Sequence, residues 1–262
     1  MNLVNERFGE QAMKKMRRWA HQNLPPTSPN SDRTRIMECG TGNGTLLLSF
    51  LTSPSSSSEQ RYHLTGTDYS QGSITLAQEV EASQRQALAE GDYDDEEEII
   101  NDVTTDWREV DLLRHDFEGE EWDLVLDKGT FDALCLSEAM VDGKLPSQIY
   151  PERIAKVVKE GGFFLITSCN FTEEEIKARW GKEELGLEFQ YVESLSFGNE
   201  LIDSSSVPHK SYVYGGQTGT TVCTVAFKKI STSGANGIAA VDSDTQDEDP
   251  LFICIDVSCF AL

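Results

Sequence analysis

Ile36-Met37-Glu38-Cys39-Gly40-Thr41-Gly42-Asn43-Gly44-Thr45-Leu46-Leu47-Leu48 decides how this chain folds. Arg35 to Glu38 reads as the end of a buried strand, three glycines at two-residue spacing make a tight turn, and Thr45 opens a helix. Glycine suits the turn because the backbone there needs unusual angles and a ligand must approach the main chain without meeting a Cβ. The free amides at the start of the next helix attract carboxylates, phosphates or polarised hydroxyls. In an open α/β sheet such a turn lies at the carboxyl ends of the strands, where ligands bind. The stretch reads as a cradle, but it does not name its ligand. A dinucleotide fingerprint needs its third glycine three residues after the second, where this chain has Thr45. On these residues alone, a glycine-rich turn that binds nothing stays open.

Working outward, the pattern repeats. Tyr62 to Asp68 is a second strand ending in a carboxylate, followed by Tyr69 and by Ser70 as the cap of a helix running to about Ala89. A carboxylate at that tip is where nucleoside-binding α/β folds hold ribose hydroxyls; a turn or capping aspartate is the alternative. Val103 to Val110 is a third strand, after which Asp111 can accept from an adenine amino group while Leu112 covers the ring, although aspartate is also common in turns. Trp122 to Asp127 is a fourth strand beside the first, and it runs into Lys128-Gly129-Thr130-Phe131-Asp132-Ala133. The Asp127 and Lys128 pair at its tip is either where transferred group and substrate meet or a surface ion pair.

Pro146 to Lys159 reads as a helix ended by Gly161-Gly162, and Phe163 to Ser168 as an apolar strand. Asn170 and Thr172 offer a cap for a helix over Glu173 to Trp180. Glu188 to Ser196 and Thr220 to Lys228 alternate and read as a terminal antiparallel pair, joined by a loop containing Tyr214-Gly215-Gly216-Gln217-Thr218-Gly219. The sum is an α/β fold: seven strands in one mostly parallel sheet, with a terminal antiparallel strand and helices on both faces. Ahead of it, Gly9 to Gln22 forms a basic amphipathic helix with Met13, Met16 and Ala20 on its apolar side, its charges forming a solvated face. The expected organisation is residues 1–30 as helix and linker, 31–230 as the principal domain with flexible inserts near 53–60 and 90–99, and 231–262 as an acidic disordered tail.

Composition bounds the function. With 262 residues, 38% of them hydrophobic, the chain can bury a good core. Its net charge of −23 is uneven, since Glu90 to Glu98 holds seven acids and Ser231 to Leu262 six, both without a base. Glu6 to Arg35 runs the other way, with seven bases against three acids. A field of this sign does not favour nucleic acid, and a basic protein partner fits it better. The six cysteines lack paired spacing and the four histidines lack ligand spacing, which suggests a reducing, cytoplasmic setting and no metal site. No stretch reads as a membrane span. The ending Cys259-Phe260-Ala261-Leu262 formally fits a prenylation box, but the acidic residues upstream argue against stable membrane attachment.

Glu38-x-Gly40-x-Gly42-x-Gly44 with Asp68 resembles the cofactor motif of the seven-β-strand, Rossmann-like S-adenosyl-L-methionine-dependent methyltransferases. Asp127 to Ala133, Phe163 to Asn170, the late Gly215-Gly216-x-Thr218-Gly219 turn and Phe8-Gly9-Glu10 together resemble the protein-lysine methyltransferases that modify translation elongation factor 1-alpha. The resemblance covers roughly Phe8 to Lys229. It implies Glu38, Gly40, Gly42 and Gly44 around the methionine end of the cofactor, Asp68 with Tyr69 at the ribose, Asp111 and Leu112 at the adenine, and Asp127 with Lys128 at the methyl-transfer site. It also implies a monomeric enzyme whose substrate is a protein, elongation factor 1-alpha. A methyltransferase for another protein or a small molecule, and an inactive module on the same fold, are the alternatives that the residues leave open.

Overall fold

The computed structural model describes residues 3–28, 31–54, 58–91, 98–190, 211–214, 217–220 and 222–230. The tail from 231, the middle of the serine-rich insert, residues 92–97 of the acidic insert, residues 191–196 of the penultimate strand and Gly215-Gly216 lie outside them.

Seven strands share one sheet: β1 (Thr34–Cys39), β3 (Arg61–Asp68), β5 (Asp102–Glu109), β6 (Trp122–Lys128), β7 (Val158–Ser168), β8 (Leu187–Gln190) and β11 (Cys223–Lys229), in the order β5-β3-β1-β6-β7-β11-β8. The first five in that order run parallel, and β11 is antiparallel to both neighbours. The expected terminal antiparallel pair is therefore β8 with β11, and the antiparallel strand lies one in from the edge. The chain moves from β1 outward to β5, then returns to β6 on the other side of β1. This makes the β1–β6 boundary the switch point of the sheet.

Alternation along β1 sorts the core into two faces. Ile36 lies with α1 (Leu3–Asn23), α2 (Thr45–Leu48) and α3 (Gln71–Glu90), through Met16, Trp19, Ala20, Leu46, Leu47, Val80 and Leu88. Met37 and Cys39 lie with α4 (Thr130–Cys135), α5 (Pro146–Val157) and α6 (Glu173–Trp180), through Phe131, Tyr150, Ile154, Ile176 and Trp180. The apolar runs at the centre of β6 and β7 reflect cover on both faces, which is why these strands are legible in the sequence. Ser70 caps α3 by accepting from Ser73 N, and Thr172 caps α6 in a reciprocal box with Glu175.

Several local readings are corrected. The first helix runs over Leu3–Asn23 and so begins ahead of Gly9. The helix expected over Pro146 to Lys159 stops at Val157, because Val158 pairs with Trp122 and opens β7. The register then slips before Leu124 meets Phe163, and Gly161 absorbs the bulge at φ +77°. The serine-rich stretch is rooted rather than loose at its ends. β2 (Thr52–Pro54) pairs antiparallel with β4 (Glu98–Ile100), forming a clasp between the two inserts. Asn101 holds the clasp, with Nδ2 donating to Phe50 O at 3.0 Å and Oδ1 accepting from Gln60 N at 3.0 Å. Arg17 of α1 docks on it from outside, reaching Glu98 at 2.6 Å and the Thr52 carbonyl at 2.9 Å, so this charge is not part of a solvated face. A separate hairpin, β9 (Ser211–Tyr214) with β10 (Gln217–Thr220), flanks the glycine pair that was expected to join the last two strands.

Candidate functional site

The carboxyl ends of the parallel strands bring Cys39, Asp68, Glu109, Lys128 and Ser168 to one edge of the sheet. Register puts Glu38 opposite Gly66 and Leu126, and Cys39 opposite Thr67 and Asp127. Glu38 and Asp68 therefore rise on one face and Asp127 on the other, with the glycine turn between them.

The turn is bonded on both sides. Asp68 is 6% exposed; its Oδ2 accepts the Gly42 amide at 3.0 Å and its Oδ1 accepts the Ser70 amide at 2.9 Å. The Thr41 amide donates to the Thr67 carbonyl at 2.9 Å, and the Thr130 hydroxyl to the Cys39 carbonyl at 2.6 Å. Three glycines then carry three different duties. Gly40 (φ +61°) faces Thr130 so closely that a Cβ would overlap the hydroxyl. Gly44 (φ +75°) faces Trp107, whose Cη2 would lie 2.6 Å from a Cβ. Gly42 (φ +55°) has nothing within 4 Å of where its Cβ would be. Only Gly42 is left bare toward open space, which is the feature a ligand-facing glycine requires.

Glu38 lies behind the turn. Its Oε2 accepts the Thr41 hydroxyl at 2.8 Å and the Leu47 amide at 3.2 Å, joining the strand to the start of α2. Burial pushes its carboxyl up to about 7, with the Thr41 hydroxyl and the Lys128 charge pulling against it. Tyr69, next to Asp68, is 82% exposed. Asp111 makes a turn, accepting the Leu113 amide at 3.0 Å and the Arg114 guanidinium at 2.7 Å, while Leu112 is buried.

Asp127 is fully buried, and its oxygens are already bonded. Oδ1 accepts the Thr130 amide at 2.8 Å, and Oδ2 accepts the Phe131 amide at 3.1 Å and the Tyr150 hydroxyl at 2.8 Å. Burial pushes this carboxyl up to about 7, and the Tyr150 bond only partly offsets it. Asp132, also buried, accepts the Ser168 hydroxyl at 2.6 Å and the Cys169 amide at 2.8 Å, so α4 is tied to the tip of β7. The edge is thus built by Thr130, Asp132, Tyr150, Ser168 and Trp107 as much as by the residues picked out in the sequence. Thr130 and Asp132 stand in the quoted Asp127–Ala133 stretch; Tyr150 and Trp107 give no local signal. Among the described residues, no helix is long and apolar enough to cross a membrane.

Comparison with known proteins agrees with this architecture. A family model described as a methyltransferase domain matches residues 30–213. The protein-lysine N-methyltransferase efm4 of Schizosaccharomyces pombe is 30% identical over 84% of this chain and 82% of its own length. EEF1A lysine methyltransferase 2 of Homo sapiens is 29% identical over 85% of this chain and 75% of its own. A solved structure from Bordetella parapertussis superposes with a TM-score of 0.50 at 14% identity, covering 84% of this chain and 68% of that one, which is a likeness of fold alone. With a glycine turn at the switch point of a seven-stranded sheet and a family model spanning most of that sheet, the chain belongs to the methyltransferase-domain family.

Proposed function

We propose that this chain is an S-adenosyl-L-methionine-dependent protein-lysine N-methyltransferase whose substrate is translation elongation factor 1-alpha. The observation that carries the reading is Gly42, a left-handed glycine open to solvent, its amide fixed by Asp68 at the switch point. Glu38, Gly40 and Gly44 shape the turn that receives the methionine end. Asp68 keeps lone pairs free for ribose hydroxyls, since a carboxylate offers about four and two are used internally. Tyr69 offers a bare ring beside them. Leu112 borders the adenine position, and Asp111 reaches its amino group by exchanging the exposed Arg114 pair, which is worth little in water.

When bound, the cofactor supplies a sulfonium methyl open to in-line displacement. A lysine side chain is protonated in water, with a pKa of about 10.4, and only its neutral form attacks. In our reading Asp127 acts at the transfer site as the residue that shapes it. Its carboxylate fixes the Gly129–Phe131 turn and so the backbone carbonyls that orient the incoming amine. Lys128, the half-buried last residue of the same strand, places a positive charge near the acceptor and favours loss of its proton. All of these residues come from one copy, which suits a monomer. The thiols of Cys39, Cys135 and Cys223 suit a reducing cytoplasm.

The acceptor assignment is supported by the names of the relatives and by the Asp127–Ala133 stretch. Incubating the purified chain with S-adenosyl-L-methionine and recombinant elongation factor 1-alpha should add methyl groups to lysine, seen by mass spectrometry of the peptides. Cofactor binding by calorimetry without any modification of that factor would remove the acceptor assignment and leave the cofactor site standing.

A further inference from the structure

We propose that Trp107, clamped by Glu81, is the positioning residue that sets the height of the glycine turn above the sheet. The proposal rests on the cofactor reading above and extends it to a residue that no part of that reading uses.

Gly66 is the starting observation. It sits inside β3, paired with Glu38 of β1 on one side and Trp107 of β5 on the other. Its backbone is ordinary strand, so its lack of a side chain is not a matter of angles; glycine weakens a strand and marks a close approach. What approaches is the indole: a Cβ on Gly66 would overlap Trp107 Cζ3 and Cε3. The same ring continues to Gly44, where a Cβ would meet Cη2 at 2.6 Å and Ala77 at 3.2 Å. One side chain thus fills the space left by two glycines, one in the sheet and one in the turn.

The ring cannot rotate freely. Its Nε1 donates to Glu81 Oε2 at 2.6 Å, and Glu81 Oε1 accepts the Thr105 hydroxyl at 2.7 Å and Arg85 Nε at 2.7 Å. Burial pushes the Glu81 carboxyl up, but its bonds to Trp107, Thr105 and Arg85 outweigh that and hold it below the usual carboxylate range. An ionised α3 carboxylate therefore pins a β5 indole beneath the turn that follows β1. Displacing the ring would let Gly44 sink and shift the Gly42 amide relative to Asp68.

The test uses the full chain and S-adenosylhomocysteine as calorimetric probe. Trp107→Val should weaken binding at least tenfold and raise the cofactor KM to match, with turnover at saturating cofactor within threefold. Trp107→Phe, which keeps a ring but loses the Glu81 bond, should cost about threefold and covers the case in which the valine variant fails to fold. Gly66→Ala should prevent folding alone and be rescued when combined with Trp107→Val. Affinity within twofold of the parent in a folded Trp107→Val protein, or no rescue by the double change, overturns the proposal. If the parent itself does not bind the probe, the cofactor reading has failed. The positioning claim is then judged by hydrogen exchange, where the Gly42 and Gly44 amides should exchange at least tenfold faster in Trp107→Val or Trp107→Phe; unchanged exchange overturns it.

Discussion

The Tyr150 hydroxyl donates to Asp127 Oδ2 at 2.8 Å, and both side chains are entirely shielded from solvent. A helix residue thus holds a strand-tip carboxylate that burial has pushed up to about 7. This pairing makes the strand tip sensitive to pH. The folded carboxyl binds its proton more tightly than the unfolded one, with an ordinary value of 3.8. Its stabilising contribution is complete below about pH 4 and is lost as pH rises through about 7. Asp127→Asn removes that ionisation. The stability gap between variant and parent should therefore widen in the variant's favour from pH 4 to 7, by on the order of a few kcal/mol, and be level above. Chemical denaturation at several pH values reads this directly, and a gap that does not change with pH would contradict it.

The glycines of the turn should separate on substitution. Gly40→Ala drives a methyl into the Thr130 hydroxyl at a left-handed position, so the protein should fail to fold or lose several kcal/mol. Gly42→Ala meets open space and carries only the backbone penalty, about 1–2 kcal/mol. That variant should fold and yet bind S-adenosylhomocysteine at least tenfold more weakly, because the methyl stands where the ligand approaches. Thermal melts beside calorimetry distinguish the two.

Asp68→Asn replaces one acceptor oxygen by a donor facing an N–H group, either Gly42 or Ser70. A clash of two donors at a buried site costs about 1–3 kcal/mol. Stability should fall by about that much, and cofactor affinity should fall further still, because the ribose contact is lost with the latch. Equal losses in stability and affinity for Asp68→Asn would argue that the residue is only a latch.

Lys128→Gln should shift the rising limb of the pH–rate profile to higher pH, by about half a unit to one unit, because the acceptor amine no longer sits beside a fixed cation. Cofactor affinity should change little. Both quantities come from initial rates measured across pH 7 to 10, and an unmoved limb would remove Lys128 from the chemistry.

The architecture could be read from the chain because strands covered on both faces announce themselves as apolar runs, and the turns between them carry glycine and capping residues. Glu38, Asp68 and Asp127 could be assigned to one edge for the same reason. What could not be read depends on partners distant in sequence. Asp127 looks like half of a surface pair until Tyr150, from another helix, is brought over it. Gly40, Gly42 and Gly44 look equivalent until Thr130 and Trp107 fill the space before two of them. Thr52-Ser53-Pro54 has no strand signature of its own, and only its pairing with Glu98 to Ile100 makes it one. The early end of α5 follows likewise from a pairing, that of Val158 with Trp122.

The β2–β4 clasp has an engineering consequence. Asn101 and Arg17 stitch both insertions at their roots, so the two loops are fastened by one shared set of bonds. Doubling the length of a closed loop adds only about 0.6 kcal/mol of closure entropy. A longer insertion that leaves the clasp paired should therefore cost little stability, whereas an epitope grafted at Thr52 or Ile100 would unfasten both loops together.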